Sequence, residues 1–231
     1  MNSFTNWLKL NEGVIEADLY FDTNENGIRG TFSRRDIQEG EEVLVIPEEC
    51  LIHSGNLSDP SSHLEQIIKD STLGVFGKNI QLTVYILNTM KSSSFSRKPY
   101  YKSFPEDLDN MPIFWSIEEL GYLKGSTLLN MIQSKIKQIR EEFNKIKVLD
   151  GFDNSFTFKE YKFVRSLVSS RNFSMTYSGK KEHAMVPWAD MLNHSTTHNT
   201  SWTYIDDPLK KHYKSFVMIA KTNIPKGHEI L

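Results

Sequence analysis

Residues 37–44 read IQEGEEVL and residues 224–231 read IPKGHEIL, so the pattern I-x-x-G-x-E-[VI]-L occurs near both ends of the chain. A glycine with permissive backbone angles, followed by apolar positions, is a turn that launches a strand. Whatever lies between two such devices must leave a sheet and come back to it. After the first copy the strand runs on through Val45, Ile46 and Pro47, whereas after the second the text stops at Leu231. A strand of about two residues is short against the usual five or six, so the expectation is a chain cut within a structural element.

The intervening text changes period twice. Residues 13–47 are β-like, with apolar stretches at 14–17, 19–21 and 43–46 separated by Asn, Gly and Asp, which predicts a small, strongly bent sheet. From about residue 61 to residue 173 the period is helical. Ile80, Val84 and Leu87 form one stripe and Leu82, Ile86 and Met90 another, so that helix is apolar on more than one side and belongs in a core. Ser116 and Glu119 have capping-box spacing, with Trp115 and Leu120 in the two positions of a hydrophobic staple. Ile132, Ile136, Ile139, Phe143 and Ile146 recur at steps of four and three, an amphipathic helix too short in its repeat for a coiled coil. Strand character returns at 202–204 and 216–220. The predicted class is α+β, a bent β-sheet core interrupted by a large helical insertion whose flanks meet in space.

Several function classes lose support from composition. With 27 basic against 29 acidic residues the net charge is −2, so no global field draws nucleic acid or an anionic membrane. Cys50 is the single cysteine, which excludes an intramolecular disulfide and a zinc cluster of several thiolates. It reads as a small buried residue in a protein of a reducing compartment. The first 30 residues have no apolar core of signal-peptide length and no 18-residue apolar run occurs, which predicts a soluble, intracellular protein.

Three constellations could carry chemistry. In PWADMLNHS, residues 187–195, Asp190, Asn193 and His194 stand among apolar neighbours and must find hydrogen-bond partners, either within the protein or in a ligand. Arg171 shares a helical face with Val164, Leu167 and Val168. It either snorkels at the helix end or meets a carboxylate or carbonyl partner. In NENGIRGTF, residues 24–32, Gly27 and Gly30 would let backbone approach a ligand closely, but the full G-x-G-x-x-G of dinucleotide sites is missing. His194 and His198 have metal-ligand spacing without a third ligand, so no metal is expected. There is no G-x-S-x-G elbow for serine hydrolysis.

Together these segments resemble a known family. NGIRGTFSRRDIQEGEEVLVIP resembles the opening β segment of SET domains. PYYKSFPEDLDNMPIFWSIEELGYLKGS, residues 99–126, is similar to the helical insertion of the Rubisco large-subunit methyltransferase class, which includes the actin-histidine methyltransferase. VSSRNFS and PWADMLNHS resemble that class's later signatures, in the same order. The resemblance implies a SET-type core divided as 1–62, a helical insertion 63–178, and a C-terminal part 179–231 incomplete at its end. It implies S-adenosylmethionine as cofactor, with Gly27, Ile28, Arg29, Arg171, Asp190, Met191, Leu192, Asn193 and His194 around it, and Arg171 and Asp190 also bordering the acceptor pocket. The implied reaction is direct displacement by a neutral lysine nitrogen of a protein substrate, with histidine as an alternative acceptor. A non-catalytic, truncated protein-binding module is the other alternative. The family's catalytic tyrosine is expected beyond Leu231, and none of the nine tyrosines here takes its role. Expected partners are a protein substrate, with no nucleic acid and no membrane. The chain is expected to be a monomer, in the cytoplasm with the nucleus as a second compartment.

Overall fold

The computed structural model describes residues 2–53, 57, 76–91, 96–149 and 152–231. The expected start of the helical run near residue 61 and the boundary at 62/63 lie outside the described residues. The chain forms two compact units: Met1–Asn56 with Arg171–Leu231, and Leu57–Ser170.

The first unit opens with helix α1 (Asn2–Leu10), a helix the apolar pattern does not announce beyond one pair, Phe4 and Leu8. Those two residues, four apart on one face, are buried. Strands β1 (Leu19–Thr23) and β2 (Arg29–Ser33) form an antiparallel ribbon. Strand β3 (Glu42–Pro47) is an edge of a second sheet and β4 (Ile52–His53) an edge of a third. The apolar stretch 14–17 does not become a strand. It makes one bridge, Val14 to Val45, and then turns at Asp18, which has φ 49°.

After the helical unit the chain adds β5 (Asn172–Tyr177) and β6 (Lys180–Met185), a hairpin whose two loop residues, Ser178 and Gly179, both have positive φ. Helix therefore ends at Arg171, and residues 172–177 pair with 180–185, which places them with the sheets and not with the insertion. Strands β7 (Thr200–Ile205) and β8 (Ser215–Ala220) complete the sheet order β3-β8-β7, while β4-β6-β5 make the third sheet, all antiparallel. Three small, separate sheets in place of one flat sheet form the bent core expected.

The repeated octapeptide turns out to be a local two-fold. Ile37 and Ile224 form an antiparallel bridge, each N–H donating to the other's carbonyl, at 2.9 and 2.8 Å. Gly40 N–H donates to the carbonyl of Ala220 at 2.9 Å, and its counterpart Gly227 N–H donates to that of Ser33 at 2.8 Å. Glu39 N–H donates to Asn223 Oδ1 at 2.9 Å, and Lys226 N–H donates to Asp36 Oδ1 at 2.7 Å. The two glycines have φ of 85° and 80°, the left-handed region that a Cβ makes costly.

The second unit is helical. Helix α2 (Lys78–Lys91) is buried from Leu82 through Leu87, as expected of a helix apolar on several sides. After the single turn α3 (Lys98–Tyr101), helix α4 (Ile117–Gly121) begins with the expected capping box: Ser116 N–H donates to Glu119 Oε2 at 2.7 Å and Glu119 N–H to Ser116 Oγ at 3.2 Å. Helix α5 (Thr127–Ile146) buries Ile132, Ile139, Phe143 and Ile146. Helix α6 (Phe158–Arg171) starts with a second capping box, Thr157 and Glu160. Inside the unit Arg165 Nε meets Glu142 Oε2 at 2.9 Å with both side chains largely buried. Among the described residues no helix is long and apolar enough to cross a membrane.

Candidate functional site

The motif 187–195 is shaped by an unusual backbone. Trp188 has φ 74° and ψ −54°, a sparsely populated conformation for a large side chain, of a kind that costs roughly 1–3 kcal/mol. Its ring is buried against Phe21, at 4.4 Å between centroids, and Phe4, at 5.8 Å. That packing holds the turn, and the chain then passes through a 3-10 turn, Ala189–Met191, and emerges at Asn193.

Asn193 resolves one of the alternatives left open by the sequence. Its amide nitrogen donates to the carbonyl of Arg29 at 3.0 Å and to Glu229 Oε1 at 2.6 Å. Both amide protons are therefore committed within the protein. The amide oxygen has no hydrogen-bond partner among the described residues and belongs to a half-exposed side chain. His194 is exposed at the same rim. The pair is thus satisfied on one side and open on the other.

Arg171 takes the carbonyl option: it donates from a guanidinium nitrogen to the backbone oxygen of Asp190 at 2.8 Å. Asp190 is buried, at 6% exposure. Arg29 lies close enough to feel both. Burial first, and then the Arg171 guanidinium, pull its pKa below the ordinary value, while the Asp190 carboxylate pulls it up. Two guanidinium groups beside one carboxylate leave local positive charge.

Asn193, His194 and Ser195 form a wall between two clefts. The wider, of about 910 Å³, is lined by the turn residues Asn24, Asn26 and Ile28, by Phe32, and by Gly227, His228 and Glu229 on the other side. The narrower, of about 420 Å³, is walled by Phe173, Leu192, Trp202 and Met218, with His198 and Ser201. Leu231 borders both. Of the predicted site residues, Ile28, Asn193 and His194 line the wider cleft, and Leu192, Asn193 and His194 the narrower. Gly27, at φ 73°, shapes the turn, and Arg29 contributes its carbonyl to Asn193. Arg171, Asp190 and Met191 line neither cleft.

Sequence reasoning missed Glu229, Asn24, Phe32 and Trp202. Glu229 was visible as the glutamate of the second octapeptide copy, but its counterpart Glu42 turns to Lys211 and His212 instead, so the pattern did not announce a site role. His198 shares a hydrogen bond with Lys221 Nζ at 2.9 Å. Among the described residues no group of three His, Cys, Asp or Glu could hold a metal ion. Cys50 is fully buried.

Residues 28–231 match the SET domain family. The chain belongs to the SET domain family. The SET match begins in the glycine turn and spans both copies of the octapeptide and the Asn193 wall. Among curated relatives, the N-lysine methyltransferase setd6 of Danio rerio is 24% identical over 254 residues, covering 100% of this chain and 52% of the relative. The human N-lysine methyltransferase SETD6 is 25% identical over 219 residues, covering 87% of this chain and 44% of the relative. The chain thus spans about half the length of the curated relatives it matches. The SET domain of LSMT, bound to lysine and AdoHcy, shares the fold with TM-score 0.82 and 18% identity over 99% of this chain and 52% of that one. Rubisco LSMT bound to AdoMet gives TM-score 0.77 at 19% identity, over 99% of this chain and 51% of that one.

Proposed function

We propose that this SET protein transfers a methyl group from S-adenosylmethionine to a lysine side chain of a protein substrate. The observation that carries the reading is the pair of clefts sharing the Asn193–His194 wall, one polar and turn-lined, the other apolar and aromatic. Relatives named as N-lysine methyltransferases, and neighbours solved with AdoMet, AdoHcy and lysine, support the same assignment.

The wider cleft fits the cofactor's chemistry. Asn193 offers a free amide oxygen to a nitrogen donor, and Ile28 and Phe32 offer apolar surface to a nucleobase. When bound, S-adenosylmethionine supplies an electrophilic methyl group on a sulfonium sulfur. The chain's part is to hold, align and exclude water. In the narrower cleft Phe173, Trp202, Leu192 and Met218 would cover the aliphatic stem of an acceptor lysine. Low polarity there disfavours the ammonium form, so the amine that must attack is more readily neutral.

Calorimetry on the 231-residue chain with S-adenosylhomocysteine tests the cofactor half, with saturable binding expected and a clear loss in Asn193→Ala. Absence of binding by the native chain would overturn it. Transfer of labelled methyl to proteins of an extract, followed by mass spectrometry, tests the acceptor half. Modified lysine is expected, and modified histidine would replace the lysine assignment.

A further inference from the structure

Glu229 places a carboxylate where three segments of the wider cleft converge. Its backbone is fixed first. Asn199 acts as a backbone mimic, donating from Nδ2 to the Glu229 carbonyl at 2.8 Å and accepting the Leu231 N–H at 2.8 Å, while Glu229 bridges Phe32 of β2. With the main chain held on both sides, the side chain points across β2. Oε1 accepts from Asn193 at 2.6 Å and Oε2 from Asn24 at 3.4 Å. Asn24 in turn holds the glycine turn, its Oδ1 accepting the N–H groups of Asn26 and Ile28, each at 3.0 Å. The carboxylate lies directly over Gly30, where a Cβ would collide with Oε1. Gly30 therefore leaves room for Glu229.

An amide is a donor at one end and an acceptor at the other, and rotation by half a turn exchanges them. The Arg29 carbonyl alone would hold the donor end inward by one neutral hydrogen bond. Glu229 adds a second, charge-assisted bond to the same nitrogen, which is the stronger of the two kinds. We propose that Glu229 is a positioning residue that fixes the polarity of the Asn193 amide, so that the wider cleft presents a hydrogen-bond acceptor and selects a ligand nitrogen that donates, an amino or ammonium group. The identity of that ligand rests on the cofactor reading above; the clamp itself does not.

Two measurements on the 231-residue chain test this. In the ligand-free protein, exchange of the Asn193 side-chain amide protons with solvent, followed by NMR, is expected to be slow. It should become fast in Glu229→Ala and stay slow in Glu229→Gln, whose amide oxygen can still accept. Gly30→Ala should reproduce Glu229→Ala without altering the carboxylate, because the new methyl displaces it, and this variant serves where loss of Glu229 impairs folding. Unchanged exchange in both Glu229→Ala and Gly30→Ala overturns the proposal.

The second measurement compares S-adenosylhomocysteine with its analogue lacking the α-amino group, by calorimetry. The native chain should prefer the amine by roughly 10- to 100-fold, the worth of a hydrogen bond to a charged group, and Glu229→Gln should keep that preference. Glu229→Ala and Gly30→Ala should reduce it to within about threefold. Full discrimination in Glu229→Ala overturns the positioning role while leaving the cofactor reading intact. Glu229-dependent protection of Asn193 in a chain that binds no S-adenosylhomocysteine upholds the clamp and overturns the cofactor reading.

Discussion

Ile37 and Ile224, equivalent residues of the two octapeptide copies, are hydrogen-bonded to each other through both backbone groups, at 2.9 and 2.8 Å. A repeat in sequence has become a pairing in space, with Gly40 and Gly227 as equivalent turns on either side. The second copy differs in what its glutamate does, since Glu229 faces Asn193 where Glu42 faces Lys211 and His212.

Gly40 and Gly227 have φ of 85° and 80°, and open space lies where a methyl group on either would stand, so alanine there costs backbone strain and no clash. Each substitution is expected to lower stability by about 1–2 kcal/mol in urea unfolding. A neutral result at both positions would contradict the left-handed assignment.

Arg165 and Glu142 pair at 2.9 Å with 8% and 12% of their side chains exposed, and Arg165 also donates to Ser169. Glu142→Ala leaves a guanidinium buried without its carboxylate, and a loss of about 3–5 kcal/mol is expected. Replacing both partners by apolar residues of similar volume should recover most of it. A double variant as unstable as the single one would show that the pair itself is what the helical unit needs.

Glu160 accepts from the backbone and side chain of Thr157, and those bonds, aided by Lys91, hold its carboxyl below the ordinary 4.5. A lowered folded-state pKa stabilises above the unfolded value and is lost as pH falls through the folded one. Thermal melts of the native chain and Glu160→Gln should therefore differ near neutral pH and converge in acid. A gap between the two that persists unchanged below the folded pKa would show that the carboxylate charge is not the source.

Tyr204 donates to Glu48 Oε2 at 3.3 Å, and Lys214 approaches the same oxygen at 3.5 Å. Burial above all, and then Glu48, push the Tyr204 phenol up; for Tyr177 the hydrogen bond to Glu48 is the leading cause, while Tyr161 is raised by burial. Raised folded pKa values stabilise below the ordinary tyrosine range, near 10, and that stability is lost as pH climbs through the folded values. Ultraviolet titration should show three late-ionising phenols, with Glu48→Gln advancing Tyr177 and Tyr204 and leaving Tyr161 in place. Movement of Tyr161 in that variant would refute the separate causes.

Local features were legible where a few consecutive residues decide them. The Ser116–Glu119 capping box, the multi-sided burial of α2 and the amphipathic stripe of α5 each depend on spacings of three or four residues along one helix. Helix α1 escaped because only Phe4 and Leu8 mark its buried face. The β5–β6 hairpin escaped because its one strong signal is the dipeptide Ser178-Gly179, while β5 mixes polar with apolar residues and β6 opens on two lysines. The stretch 14–17 looked like a strand by composition, but Asp18 turns the chain after a single bridge.

By itself the sequence determined the helices α2, α4 and α5, the strand character of β3 and β8, and that a long helical stretch interrupts a β unit. These follow from periodicities and residue types within short windows, whereas the family was legible only as a resemblance of several motifs taken together and in order. Only the tertiary structure decided that the two octapeptides pair with each other, that Arg171 meets a carbonyl and not a carboxylate, and that Asn193 is tied to Arg29 and Glu229. The last three pairs are separated by 19, 164 and 36 positions along the chain. Contacts over such separations are set by how strands close into sheets and where a turn such as Trp188 is forced, and no local pattern carries that information.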